Sequence, residues 1–479
     1  MISDAEHWND STKDKLWLYH LHYFDDLNAE GAARRSSWHE ALMERWLNEN
    51  PPGCGVGWEP YPTSLRIVNW IKWAFSGCSM SSSALSSLAV QARWLRRRLE
   101  YHLLGNHLLA NAKALVFVGL FFAGDEGLCW YRKGMALLAR ELPEQVMADG
   151  GHFERSPMYH QIVLEDLLDL INLHQACNLE YPFQWLEAAR RMLRWSRLMR
   201  HPDGEIAFFN DAAFGVAPAP RQVDAYARRM GITCKEEILS PLCHLAASGY
   251  VRLAAGKAVL LADMAPVGPD YLPGHAHADT LSFELSLGTQ RVVVNGGTSV
   301  YGNGDERLRQ RSTSSHATVV VDGKNSSEVW GGFRVARRAR IIKTKVWNEE
   351  NLYCVAAAHD GYRYLCGSPV HWRTWLLKDG ELRIKDELLG KGVHQAEIIF
   401  PLAPGLLPEA ENGNRVLVVD EQGGGRICRL QTDSCTNITV ERTTWHPRFG
   451  EAVAAWRLRL ILYGEFPLFH QTVLRWEDL

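Results

Sequence analysis

The 479-residue sequence has no Cys-x-x-Cys pair, although it holds 10 cysteines, at positions 54, 78, 129, 177, 234, 243, 354, 366, 428 and 435. Thiolate zinc modules are built from closely spaced pairs, so that class is disfavoured. Scattered thiols in a long chain read as reduced cysteines of a cytosolic protein. Long hydrophobic runs are missing as well. The most apolar stretch, 114–123, is far shorter than the roughly 20 residues that span a bilayer, and Asn106, His107, Asn111 and Lys113 interrupt it upstream. No membrane span is expected. Met1 to Glu6 show no basic segment followed by an apolar core, so no signal peptide is read there and a cytoplasmic location is expected. An excess of one charge is also lacking. The formal net charge is -3, which gives no field of the kind that attracts nucleic acid.

The chain is too long for one ordinary core, so two or three domains are expected. Eighteen tryptophans and 15 tyrosines stand out. Aromatic rings suit the apolar C–H faces of sugars, but most of these are expected to be core residues. Two basic runs occur, Arg96-Arg97-Arg98 and the stretch from Arg334 to Lys345 with Arg337, Arg338, Arg340 and Lys343. Each reads either as a solvated face or as local attraction for an anionic ligand.

Hydrophobic spacing changes period once along the chain. Helical spacing occupies Trp38–Leu47, Ser64–Phe75, Ser82–Gly119 with a break near Gly105, Leu128–Leu142, Pro157–Leu173 and Phe183–Met199. These segments are joined by short Gly/Pro turns, which predicts helical hairpins of an α/α toroid or solenoid. From about Gly249 the pattern turns to short β-branched runs: Leu281–Leu287, Val292–Val294, Thr318–Val321, Ala339–Val346, Ala396–Phe400 and Val416–Val419. Asp379-Gly380, between two such runs, is a tight-hairpin signal. The prediction is an α+β chain, with helical hairpins over 1–244 and an antiparallel β-sandwich over 245–479.

Polar residues interrupt this pattern in a few places. Gly274-His275-Ala276-His277-Ala278-Asp279 places two histidines at i and i+2, which share a face if the segment is extended. Arg311-Ser312-Thr313-Ser314-Ser315-His316 adds a third histidine. Imidazole is both a proton carrier near neutral pH and a common metal ligand. Asn106-His107 breaks an apolar helix, Asp149 to His160 crowds polar side chains into one loop-to-helix transition, and Asn210-Asp211 follows two phenylalanines.

The segments GNHLLANAKAL, DGGHFERSPMYHQIVLEDLLDL, GHAHADTLSFELSLGTQRVVVNGGTSVY and RSTSSHATVVVDG resemble the heparinase II/III-like proteins, a superfamily that includes uronate polysaccharide lyases. The resemblance implies an α/α toroid followed by a β-sandwich, and β-elimination on an anionic polysaccharide. It gives Asn106, with His107, the role of neutralising the uronate carboxylate. It makes Tyr159 the acid, or both acid and base, and His275 the partner base. Arg155, Tyr301 and Arg311 become candidate substrate contacts. It also implies a structural zinc on His277, Asn295 and His316. The family has aspartate where this chain has Asn295, and an amide oxygen is a poorer zinc ligand than a carboxylate. The other reading of that cluster is metal-free, with the Asn295 amide bridging the two imidazoles. Two other functions remain in view. One is a non-catalytic carbohydrate-binding or assembly protein of polysaccharide biosynthesis. The other is a glycoside hydrolase, for which Asp149, Glu154 and Asp211 supply carboxylates.

Overall fold

The computed structural model describes residues 4–233, 239–433 and 438–476. The helices come first: α1 (Lys15–Leu21), α2 (Ser36–Glu49), α3 (Pro60–Phe75), α4 (Ser82–Arg96), α5 (Gly105–Phe121), α6 (Asp125–Gln145), α7 (Pro157–Ala176), α8 (Phe183–Leu198) and α9 (Pro220–Arg229). The run expected over Ser82–Gly119 is thus two helices. Leu104 and Gly105, both at positive φ, make the corner between them. Strands begin at β1 (Leu242–Leu245). The fold class is the expected one, α/α-toroid helical hairpins followed by an antiparallel β-sandwich. The chain divides into two compact units: Met1–Gln145 with Asp166–Trp185, and Val146–Glu165 with Leu186–Leu479.

In the first unit α5 is buried almost along its whole length. Gly119 and Gly134 let α5 and α6 approach closely. A Cβ on Gly119 would fall 2.4 Å from the Tyr131 amide nitrogen, and one on Gly134 would fall 2.8 Å from the Ala112 carbonyl. Lys113, buried on α5, is neutralised by Asp166 at 2.6 Å and Asp169 at 2.5 Å. A buried ammonium is tolerated only when paired in this way. Trp46, Trp70, Trp73 and Trp130 lie in the core, in line with the packing role expected for most of the tryptophans.

In the second unit β1, β2 (Tyr250–Ala255), β3 (Ala258–Asp263), β4 (Phe283–Leu287) and β5 (Gln290–Val293) form a five-stranded sheet in chain order. After the short α10 (Asp305–Arg311) come β6 (Val319–Val321), the two-residue strands β7 (Val329–Trp330) and β8 (Arg334–Val335), and β9 (Ile341–Glu349), β10 (Leu352–His359), β11 (Val370–Lys378), β12 (Glu381–Leu389) and β13 (Val393–Pro401). The rest are β14 (Leu406–Asn412), β15 (Arg415–Asp420), β16 (Arg426–Thr432), β17 (Ile438–Trp445), β18 (Val453–Glu465) and β19 (Leu468–Arg475). An eight-stranded sheet runs β14-β15-β16-β19-β12-β11-β10-β9 and a four-stranded sheet runs β17-β18-β13-β6. Asp379-Gly380 makes the two-residue turn between β11 and β12, with Lys378 opposite Glu381 and Gly380 at φ 78°.

Several buried histidines couple this fold to pH. Burial holds His22 and His152 down at about 4 and His160 at about 3. The unfolded chain takes up these protons near pH 6.5 and the folded chain does not, so stability rises with pH across this interval. Each site costs about 1.4 kcal/mol per pH unit between its unfolded and folded values. The melting temperature is therefore expected to fall steadily from pH 6.5 to pH 4.5. A flat profile measured calorimetrically over that range would show that these imidazoles titrate normally.

Candidate active site

Ser156 and Pro157 start α7 in the usual way, with a hydroxyl cap followed by a residue of fixed φ. The Ser156 hydroxyl accepts from the Tyr159 amide at 3.2 Å and donates to the Asp211 carbonyl at 2.5 Å. Tyr159 is thereby set on the first turn of the helix. The loop before it is held by Asp149, whose carboxylate accepts from the Ser248 amide at 2.7 Å. Arg155 takes a left-handed backbone, φ 58°, and its carbonyl accepts from the Tyr250 hydroxyl at 2.6 Å and the Asn210 amide at 3.0 Å.

These restraints bring Glu154, Tyr159, His275 and Tyr301 together. The Tyr159 ring stacks on His275 with centroids 3.9 Å apart and planes 16° apart. Glu154, 2% exposed, accepts the Nδ1 proton of His275 at 2.5 Å. That leaves the Nε2 lone pair of His275 as its proton-accepting end. Tyr159 and Tyr301 share a hydroxyl hydrogen bond of 2.9 Å. Burial raises the Tyr301 phenol well above its ordinary range, so it stays protonated and is able to donate to the Tyr159 oxygen. Arg307 lies 4.9 Å from the Tyr301 ring and is itself clamped by both oxygens of Asp211. Neither Arg307 nor the Glu154–His275 bond was anticipated from sequence.

Other expected contacts fall elsewhere. Arg311 is fully buried and donates to the carbonyls of Ala276, Gly331 and Gly332. It braces the histidine loop and is not accessible to a substrate. The Arg155 guanidinium is likewise directed at backbone, donating to Ser248 and Phe153 carbonyls at 3.2 Å each. Asn106 and His107 belong to the first unit. Asn106 is buried at the start of α5, near the Tyr61 hydroxyl. His107 packs on the Tyr61 ring at 4.4 Å and meets Glu100 at 3.0 Å.

The His-x-His segment is a loop, not a strand, so its two imidazoles do not share a face. Pro273 and Gly274 precede it, and its backbone is bonded singly to neighbours. The His275 carbonyl accepts from the Asp211 amide at 2.9 Å, and the His277 amide donates to Asn210 Oδ1 at 3.0 Å. His275 turns to Glu154 while His277 turns inward. The strands β5 and β6 next to Asn295 and His316 lie in different sheets, so the three proposed zinc ligands do not meet through strand pairing.

Whether they suit a metal is decided by their protons. The Asp211 carboxylate, held far below its usual range chiefly by Arg307 against the cost of burial, only accepts; His277 Nε2, 2.8 Å away, must donate to it. The Ser312 carbonyl also only accepts, so His316 Nδ1, at 2.8 Å, must donate too. His277 Nδ1 and His316 Nε2, which face each other at 3.1 Å, are then both lone pairs. Burial lowers the proton affinity of both rings, His277 to about 4. Two converging lone pairs, each ring anchored at its far nitrogen, match two histidine ligands with their outer supports. The Asn295 amide does not bridge them; it accepts from the Ala317 amide at 3.2 Å, with a second lone pair left on its oxygen. By contrast, His359 and His371 form a pair with consistent protons. His359 Nδ1 accepts from the Gly361 amide, Nε2 donates to His371 at 3.3 Å, and His371 donates to Asp386 at 2.7 Å.

One further constellation has the order of a hydrolytic triad. His201 bonds Ser286 at 2.8 Å and Glu284 at 2.8 Å. All three are at most 2% exposed, and Glu284 also accepts the amides of Phe208 and Asn295. It is a brace of the core.

Two family models match the chain: Heparinase II/III N-terminus over residues 55–228, and Heparinase II/III-like, C-terminal over 237–463. A heparin-sulfate lyase of Bacteroides stercoris is 22% identical over 366 residues, covering 71% of this chain and 52% of the relative. FtsZ-localized protein C of Caulobacter vibrioides is 26% identical over 430 residues, covering 86% and 69%. The chain thus spans about half the length of the first of these relatives. A crystal structure of heparinase III superposes with TM-score 0.77 at 17% identity, covering 98% of this chain and 78% of that one. A heparan sulfate lyase of Pedobacter heparinus gives 0.67 at 20%, with the same coverages.

Proposed function

The chain belongs to the heparinase II/III-like family, and from that premise we propose that it is a polysaccharide lyase that breaks a uronic-acid-containing glycan by β-elimination. The observation that carries this reading is the stacked Tyr159–His275 pair with the buried Glu154 on His275 Nδ1. The proton on the carbon beside the uronate carboxylate passes to His275 Nε2. Tyr159 gives its proton to the departing 4-oxygen as the C4–O bond breaks and the C4=C5 double bond forms. The protonated Tyr301 hydroxyl steadies the phenolate left on Tyr159, and transfer of the proton from His275 to that phenolate resets the pair. For the carboxylate the reaction needs a neutral donor, the role that the resemblance gives Asn106.

Hydrolysis finds less support. Of the three carboxylates available for it, Glu154 is bound to His275, Asp211 to Arg307 and His277, and Asp149 to Ser248. A screen of ultraviolet absorbance over alginate, heparan, hyaluronan, polygalacturonate and bacterial uronate glycans tests the reading. A new absorbing 4,5-unsaturated end is expected. New reducing ends without absorbance mark a hydrolase, and binding without either marks a non-catalytic glycan protein.

A zinc-type ion held by His277 and His316, with Asn295 as a neutral third ligand, is part of the same proposal. Such an ion supplies cross-linking, joining the 275–279 loop to the 312–316 turn; no chemical step uses it. Elemental analysis of protein purified without chelator is expected to approach one zinc per chain, and a chelator is expected to lower the melting temperature. A stoichiometry near zero would remove the metal from the proposal.

A further inference from the structure

Six cations fall within residues 334–345, and no acid stands among them: Arg334, Arg337, Arg338, Arg340, Lys343 and Lys345. The elimination chemistry uses none of them, and in a chain of net charge -3 they are a local concentration of positive charge. Lys343 and Lys345 sit on β9, an exposed edge of the eight-stranded sheet. Lysine on an edge strand discourages sheet-to-sheet association, which accounts for those two. It does not account for Arg337, Arg338 and Arg340, which precede the strand. With Asp270 and Ala336 they line a groove of about 430 Å³.

The groove is not neutralised. Arg338 meets Asp270 at 3.1 Å and Arg337 meets Glu328 at 3.7 Å, but these carboxylates are 80% and 54% exposed. Exposed pairs of this kind contribute roughly 0–1 kcal/mol and exchange readily for another anion. Arg334 and Arg340 are exposed and form no ion pair among the described residues. Arginine presents a planar fork that fits carboxylate or sulfate through two hydrogen bonds.

Position links the groove to the chemistry. The β7–β8 hairpin carries Phe333 at its turn, 6.2 Å from His275 and 5.1 Å from Tyr301 between ring centroids. Arg334 follows it, opposite the half-exposed Trp330. Asp270, on the groove wall, lies in the loop that leads to His275, beside the exposed Tyr271. Arg337 stacks on Tyr364 at 3.3 Å. Aromatic rings and guanidiniums therefore share the two segments, 270–275 and 329–340, that meet at Phe333 and His275.

We propose that this groove is a second subsite beside the Tyr159–His275 cluster, which binds an anionic substituent, sulfate ester or carboxylate, on a sugar further along the chain from the scissile bond. Its placement rests on the lyase reading. The substrate class it implies is a glycan with negative charge on successive sugars.

Binding separates the two ideas. Tyr159→Phe protein would be titrated with fluorescent hexasaccharides, one heparin-derived and sulfated, one oligoguluronate with carboxylates alone. The same protein carrying R334A, R337A and R340A is expected to bind at least about 10-fold more weakly in low salt, with a flatter salt dependence, and to melt normally. R337K with R340K should keep the salt dependence while losing part of the affinity. Weakening for the sulfated probe alone assigns the groove to sulfate, and weakening for both assigns it to either anion. Unchanged affinity and salt dependence for both probes, or no binding of either by the parent protein, overturns the proposal. Absence of an unsaturated product from wild-type protein that still binds these probes through the groove would instead defeat the lyase reading.

Discussion

Tyr159→Phe is expected to lower kcat by about 10³-fold while leaving the fold in place. The phenol oxygen is the only heavy atom removed, and in the proposed elimination it is the atom that gives its proton to the leaving sugar; general acid catalysis of this kind contributes roughly 10²–10⁴-fold. The ring stays stacked on His275 because stacking needs the ring and not the hydroxyl. The lost hydrogen bond to Tyr301 costs on the order of 1 kcal/mol, so the melting temperature should move by only a few degrees. Substrate affinity should also hold, since this oxygen acts in the transition state. A variant that retains the wild-type rate on a true substrate would remove the tyrosine from the chemistry, and loss of the folded state would show the hydroxyl to be structural.

Much of the architecture was legible from hydrophobic period alone. The helices from α2 to α8 and the β11–β12 hairpin at Asp379-Gly380 match segments read from spacing. Some missed elements are short, but long strands were missed too: β10, β17, β18 and β19 carry no uniform β-branched run. Helix α10 has seven residues, too few for a periodic signal, and it carries Arg307. The site was legible as a set of residue types but not as a set of partners. Glu154 stood out in the sequence as a carboxylate suited to hydrolysis. Its bond to His275 joins residues 121 positions apart, which no local pattern records. The alternation rule failed at His275 and His277 because the rule presumes a strand. This backbone instead follows a turn through Pro273 and Gly274 and is fixed by Asn210 and Asp211. Arg311, which the resemblance made a candidate substrate contact, is committed by burial to carbonyl groups.

Glu154→Gln is expected to lower kcat by up to about 10⁴-fold, the drop that follows when an amide replaces the carboxylate orienting a catalytic imidazole. As a carboxylate, Glu154 Oε2 only accepts, so it holds the His275 proton on Nδ1 and leaves Nε2 for the proposed base role. A glutamine of the same shape offers either an oxygen or an NH2 group at that point. When the NH2 faces the ring, Nδ1 becomes the acceptor and the remaining proton moves to Nε2, where it blocks proton abstraction. The buried charge that favours the imidazolium formed during the reaction is lost in either orientation. Because Glu154 acts through His275, the rate alone does not establish this role. Nitrogen NMR of a sample labelled at His275 should show the Nδ1–H tautomer in the parent protein and a substantial Nε2–H population in the variant. A large fall in kcat with the tautomer unchanged would assign the effect to charge alone. Wild-type turnover in Glu154→Gln would mean that the imidazole needs no carboxylate to serve as base.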